Sequence, residues 1–173
     1  MAELLRLYKS KWKTWGNELF DFENKLFGLI RQEFDDFYRR ILKSRSLIWI
    51  GAFRDGKIVG HIVGRGLQEL ADDSEINFMH HEPEERERTI YLENFVVAPE
   101  LQNNGIGNKF VWSLLYIARR KGFSRIAGHF SSPPSAYMIV KNKHIRTDVV
   151  RQVADYYYDP GKEYYYCSGR ICD

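Results

Sequence analysis

Cysteine is scarce in this chain: 173 residues carry two, Cys167 and Cys172. Their spacing matches neither a redox pair nor half of a zinc site, so free, reduced thiols are expected. Long apolar runs are missing too. No stretch approaches the roughly 20 uncharged apolar residues of a membrane span, and the opening MAELLRLYKSKWKTW interleaves charge too closely for a signal peptide. A cytoplasmic protein without membrane contact is expected. An excess of one charge is also lacking, with 26 basic residues against 23 acidic ones, so no nucleic-acid partner is expected. Arg119-Arg120-Lys121 reads as the cationic last turn of a helix closed by Gly122. With no internal repeat, linker or low-complexity tract, residues 1–173 read as one domain. What is present is apolar residues at 44% and aromatics at 15%. At this length folding buries roughly 70% of the extended chain's surface, enough for a core without disulfides or metal.

Leu19, Phe22, Leu26 and Leu29 recur at helical spacing, as do Phe34, Phe37 and Ile41, so two amphipathic helices are expected to open the domain. LIWIGAF (47–53) and KIVGHIVGR (57–65) follow as β-type runs joined through Asp55-Gly56, a strong hairpin signal. Residues 67–88 read as a charged surface connection or irregular helix. TIYLENFVV (89–97) is apolar on both faces, the mark of a central strand ended by Pro99. Beyond it, Gln102-Asn103-Asn104-Gly105-Ile106-Gly107 opens a helix with Ile106, Phe110, Val111, Leu114, Ile117 and Ala118 inward. The strand FSRIAGHF (123–130) comes next, which completes a right-handed β-α-β unit with parallel strands. A short helix over 134–143, a less regular stretch, and a hairpin of ADYYY and EYYYCSG about Asp159-Pro160-Gly161-Lys162 close the chain. The expected fold class is mixed α/β, a central mixed sheet flanked by helices.

A glycine loop at a helix N-terminus offers unpaired amides and the positive end of the dipole, a site for phosphate. It is not the nucleotide P-loop, which needs Gly-Lys-Ser/Thr, nor the dinucleotide fingerprint, which needs a third glycine. The central strand with Val97-Ala98-Pro99, then Gln102-x-x-Gly105-x-Gly107 and an amphipathic helix, resembles motif A of the GNAT superfamily of acyl-CoA N-acyltransferases, and the element order resembles it over most of the chain. The resemblance implies acetyl-CoA as co-substrate. It gives its pyrophosphate to the amides of Gln102, Asn103, Asn104, Gly105, Ile106, Gly107 and Asn108, and its pantetheine arm to the strand backbone at Phe95, Val96 and Val97. Asn103 and Asn104 stand where many relatives have Arg and Gly, but Asn enters left-handed conformations readily.

Acetyl transfer to an amine needs a proton acceptor, because an alkyl ammonium holds its proton to about pH 10.4. Glu93, alone in an apolar strand, is the candidate base or amine anchor, sharing a face with Tyr91, Phe95 and Val97 by alternation. The alternative for Glu93 is a structural pair with a buried cation such as Arg65. Residues 90–97 resemble the strand of spermidine/spermine and diamine acetyltransferases, which implies a polyamine-type amine. In many relatives Asn-x-x-Ala, with a Tyr four residues after that Ala, follows the next strand. Here Ala136 fits, while Pro133 and Val140 stand at the other two places. Tyr137 is the displaced candidate acid, and Ser132, with Ser131 and Ser135, offers hydroxyls to pantetheine. His61 and His129, both in strands, read as satisfied packing residues, with His129 near enough to the expected acyl site to be a secondary acid/base candidate. His80-His81-Glu82 reads as surface, and no metal is expected. The closing tyrosines could wall a cleft and attract a cationic amine. The acceptor is a small-molecule or peptide amine, and a homodimer is allowed. A non-catalytic module of the same fold is the reading from another class.

Overall fold

Asp55 and Gly56 both take left-handed backbone, with φ of 52° and 75°. That is the two-residue turn which matches the natural twist of a hairpin, and it joins β2 (Ile48–Arg54) to β3 (Lys57–Gly66) in antiparallel register. The computed structural model of the chain describes residues 2–73, 82–131, 133–154 and 163–172. Around the hairpin it adds β1 (Glu3–Arg6), α1 (Trp12–Phe27), α2 (Arg31–Lys43), α3 (Leu67–Asp73), α4 (Pro83–Glu87) and β4 (Thr89–Val97). After β4 come α5 (Ile106–Arg120), β5 (Arg125–Phe130), α6 (Pro133–Val140), β6 (Ile145–Ala154) and β7 (Glu163–Ile171).

Among the described residues seven strands form one sheet in the order β1-β2-β3-β4-β5-β7-β6. Every pairing is antiparallel except β4 with β5, which α5 joins as a parallel crossover. On one face of the sheet α5 and α6 seat Ile106, Phe110, Val111, Leu114, Ala136 and Ile139 against Ile62, Ile90, Leu92 and Ile126. On the other, α1 and α2 bury Leu19, Phe34, Tyr38 and Ile41 against Trp49 and Val63. Tyr38 stacks on Trp49 at 5.1 Å between ring centroids, and Trp15 meets Trp49 edge-on at 4.6 Å. The mixed α/β class follows as expected.

The differences lie at the ends. A strand, β1, precedes the two helices, and its largely exposed residues pair along the edge of β2, which leaves no alternation to read. Much of the stretch expected to be irregular is β6. The charged connection contains α3 and α4, while His80 and His81 lie outside the described residues, as do Tyr156 to Tyr158 and the Asp159-to-Lys162 turn. Among the described residues no helix is long and apolar enough to cross a membrane.

Candidate active site

β4 and β5 pair only from Thr89 opposite Arg125 to Leu92 opposite Gly128. β4 then continues to Val97 and β5 to Phe130, so the strands part. β5 does not cover the backbone of β4 from Asn94 to Val97, and this stretch forms an edge on which a ligand can be hydrogen-bonded like an added strand. Phe95, Val96 and Val97 lie on this edge.

A bulge shapes the same segment. Across the β3/β4 ladder Val63 faces Asn94 while Gly64 faces Leu92, which leaves Glu93 as the extra residue. The extra residue breaks the alternation that put Tyr91, Glu93, Phe95 and Val97 on one face. Tyr91 packs with Leu67, Ala127 and Tyr166, whereas Phe95 and Val97 pack on the opposite, α5 side. The Glu93 carboxylate is ion-paired with the Arg65 guanidinium, the two side chains being 1% and 4% exposed. Since the residue as a whole is partly exposed, its exposure is that of its main chain.

From the end of β4 the chain turns through Pro99–Leu101 into the glycine loop, and the Gln102 side-chain amide donates to the Val97 carbonyl at 3.0 Å. Asn103 and Gly105 take left-handed backbone, φ 62° and 76°, so the asparagine tolerates the turn as expected. The first helical bond of α5 runs from the Lys109 N–H to the Gly105 carbonyl, and the amides of Ile106, Gly107 and Asn108 have no carbonyl one turn back. A Cβ on Gly105 would meet nothing within 4 Å, so the loop faces open space. Gly107 is closed in, since a Cβ there would come 2.9 Å from Met138 and 3.3 Å from Phe95.

Next to this cradle a groove of about 540 Å³ runs between α5 and the end of α6, lined by Asn108, Lys109, Trp112, Lys141, Asn142, Lys143 and His144. Among the described residues no acidic side chain lines it. The amides, the open loop, the uncovered β4 edge and the cationic groove together fit a phosphorylated thioester such as acetyl-CoA. The groove was missed in the sequence, although Lys141-Asn142-Lys143-His144 was its signal.

Of the remaining candidates, Tyr137 is on the solvent side of α6, 57% exposed, with the Lys141 ammonium over its ring. Ser132 lies outside the described residues. His129 is bonded through Nδ1 to the Tyr91 hydroxyl at 2.7 Å, and its ring centroid is 4.8 Å from that of Tyr166. His61 is buried, its Nε2 within 2.6 Å of Glu23, a packing residue as expected. The same Glu23 oxygen accepts from Tyr38 at 2.6 Å and Asn94 at 2.8 Å. Burial, reinforced by the Glu23 charge, raises the Tyr38 pKa well above that of a free phenol. This network ties α1 and α2 to β4 at the residue after the bulge, and nothing in the sequence announced that partnership.

The model of the acetyltransferase (GNAT) family matches residues 4–135. Among solved structures, a GNAT-family acetyltransferase from Streptococcus pneumoniae is 14% identical, with 99% of each chain covered and a TM-score of 0.66. The ribosomal-protein-S18-alanine N-acetyltransferase of Escherichia coli is 13% identical, with 100% of this chain and 96% of that one covered and a TM-score of 0.64. A GNAT phosphinothricin acetyltransferase from Sinorhizobium meliloti, in complex with AcCoA, is 11% identical over 99% of this chain and 89% of its own, at a TM-score of 0.65. No curated protein matches the chain. A motif, a parted pair of strands and a family model spanning most of the sequence agree: the chain belongs to the GNAT family, acyl-CoA-dependent N-acetyltransferases that use acetyl-CoA.

Proposed function

We propose that the chain acetylates a primary amine of a small polycationic molecule of polyamine type, at the point where β4 and β5 part. The parting itself carries the reading, because it joins an uncovered strand edge to a cradle of free amides at the start of α5. The amides from Asn103 to Asn108 hold the pyrophosphate, with the helix dipole adding to their attraction; the Gln102 N–H, expected among them, donates instead to the Pro99 carbonyl at 3.2 Å. Phe95, Val96 and Val97 hold the pantetheine arm through their backbone, and Lys109, Lys141 and Lys143 meet the remaining phosphate. Acetyl-CoA supplies an electrophilic thioester carbonyl. Glu93, named from the sequence as base or anchor, acts through Arg65 by holding the bulge that shapes the β4 edge. Tyr137, more than half open to water, is left outside this assignment. Two features support the polyamine acceptor: the likeness of residues 90–97 to polyamine-acetylating relatives, and the exposed carboxylates of Glu82, Glu84 and Glu87 at α4.

Calorimetric titration with acetyl-CoA, run beside a Gly105→Glu variant, tests the reading. A glutamate in the open loop puts negative charge where the pyrophosphate belongs, and at least about a tenfold loss of affinity, roughly 1.4 kcal/mol, is expected. Release of free CoA is then measured with polyamines first and peptides second. An unaltered protein that binds no acetyl-CoA overturns the reading, and turnover confined to peptides overturns the acceptor class.

A further inference from the structure

The strand register sets three arginines side by side. Arg125 on β5 lies directly opposite Arg170 on β7, and Arg170 lies directly opposite Arg146 on β6. Directly opposed residues share a face of the sheet, so the three rise together, on the face away from α5 where Ala127 and Tyr166 pack by the same alternation. Like charges placed opposite one another are destabilising. The fold neutralises one of the three. Asp148, the residue inserted between the Thr147 and Val149 pairs of the β6/β7 ladder, accepts from Arg125 Nη2 at 2.8 Å and from the Ser168 hydroxyl at 3.2 Å, while Glu85 lies 3.7 Å from Arg125 Nη1. Both Asp148 oxygens are thereby engaged. The other two arginines are exposed, and among the described residues their guanidinium groups have no acidic partner.

We propose that Arg146 and Arg170 form a further anion site, which takes a dianionic phosphate group. A pocket of about 150 Å³ opens between them, lined by Arg146, Asp148 and Arg170. A groove of about 490 Å³ adjoins it through Arg170 and brings in Arg88 and Ser124, with Glu84 and Glu85 along the α4 wall. Guanidinium forks match phosphate oxygens two by two, and a dianion between them offsets the repulsion of both, where a single carboxylate would offset one. The acids of α4 hold the phosphate to the Arg146 end. They leave the groove to the rest of the ligand, whose hydroxyls can donate to Glu84, so free phosphate and a phosphate monoester share the chemistry of the site. It is separate from the acetyl-CoA cradle. Arg125 pairs with Thr89 at the start of β4, and Val97, which leads into the glycine loop, is about 26 Å away at 3.3 Å per residue. No step of the acetyl transfer uses these arginines, so the site stands independently of the functional reading.

The test is calorimetric titration of the full chain with inorganic phosphate at about pH 8, where it is a dianion, in saturating acetyl-CoA so that the cradle is filled. One phosphate per chain is expected. Arg146→Gln and Arg170→Gln each weaken it at least about tenfold and leave acetyl-CoA affinity within about twofold. Thermal unfolding separates a ligand site from a structural one. Without phosphate, Arg170→Gln relieves like-charge repulsion and unfolds no lower than the parent. Phosphate at about ten times its Kd raises the parent's midpoint by about 3–6 °C, and the variant's by no more than about a third of that. Glycerol 3-phosphate is the second probe: tighter binding than phosphate assigns the groove to a phosphate monoester, and equal or weaker binding assigns the site to free phosphate. The Gly105→Glu chain, titrated without acetyl-CoA, is expected to bind phosphate as the saturated parent does. No phosphate binding in the saturated parent, its loss in Gly105→Glu, or affinity within about twofold of the parent in both arginine variants overturns the site. Failure of the parent to bind acetyl-CoA overturns the functional reading alone, and the Gly105→Glu titration then decides this site.

Discussion

A carboxylate and a guanidinium that are both almost wholly buried settle each other's cost only while they stay together. Glu93 and Arg65 are such a pair, held across the β3/β4 ladder at its bulge. Desolvation of each ion costs several kcal/mol, and the remaining partner bears that cost alone when one is removed. Glu93→Gln keeps the shape but takes the charge from Arg65. It is expected to lower unfolding stability by about 3 kcal/mol, whereas the double change Glu93→Leu with Arg65→Met recovers most of the loss. Urea unfolding of Glu93→Leu, Arg65→Met and the double, beside Glu93→Gln, measures this coupling. A glutamate acting only as base would behave otherwise, with a kcat loss of about 100-fold at unchanged stability. The sequence raised both roles for Glu93 and named Arg65 as the partner. What it hid was the bulge, since a strand's alternation says nothing about a residue inserted into one ladder.

At the scale of elements, the site depends on how α6 seats on the start of α5. Gly107 marks the contact, with Met138 Cε 2.9 Å and Phe95 3.3 Å from where a Cβ would stand. A methyl can push the flexible methionine end aside, but a branched side chain overfills the gap. Gly107→Val is expected to cost about 1–3 kcal/mol and to weaken acetyl-CoA binding, because it pries the cradle from the β4 edge. Adding Met138→Ala restores room, so thermal unfolding of the double variant should occur above that of Gly107→Val alone; no recovery would mean that Met138 is not what resists the side chain. The elements that build this site were the legible ones. The β4 run, the Gly105 turn and the inner face of α5 each follow from strong local chemistry: an apolar strand, residues that accept positive φ, and a 3.6-residue period. β1 was not legible because an edge strand of exposed Glu, Leu and Arg is stabilised by pairing with β2 rather than by its own pattern. The basic groove was missed for a related reason, since its residues come from α5 and from the chain after α6, which only the crossover brings together.

For the whole molecule, two buried phenols on opposite parts of the sheet make stability depend on alkaline pH. Tyr38 joins α2 to Glu23 and Asn94, and Tyr166 is wholly buried on β7. Burial pushes both upward from the ordinary value of 10.0. A group whose folded pKa is raised binds its proton more tightly in the native state. Its contribution is complete below pH 10, and above it the unfolded chain releases a proton that the folded chain keeps. Each such tyrosine therefore removes about 1.4 kcal/mol of stability per pH unit above 10, until it ionises in the fold as well. Urea unfolding at pH 9, 10 and 11 is expected to show this decline, and Tyr166→Phe should flatten the slope between pH 10 and 11 by close to one proton's worth. Tyr166→Phe keeps the ring against His129 and loses only the ionisable hydroxyl, so it separates the titration from the packing. An unchanged slope would mean that the Tyr166 phenol ionises no later in the fold than in the unfolded chain, and that the alkaline loss originates elsewhere.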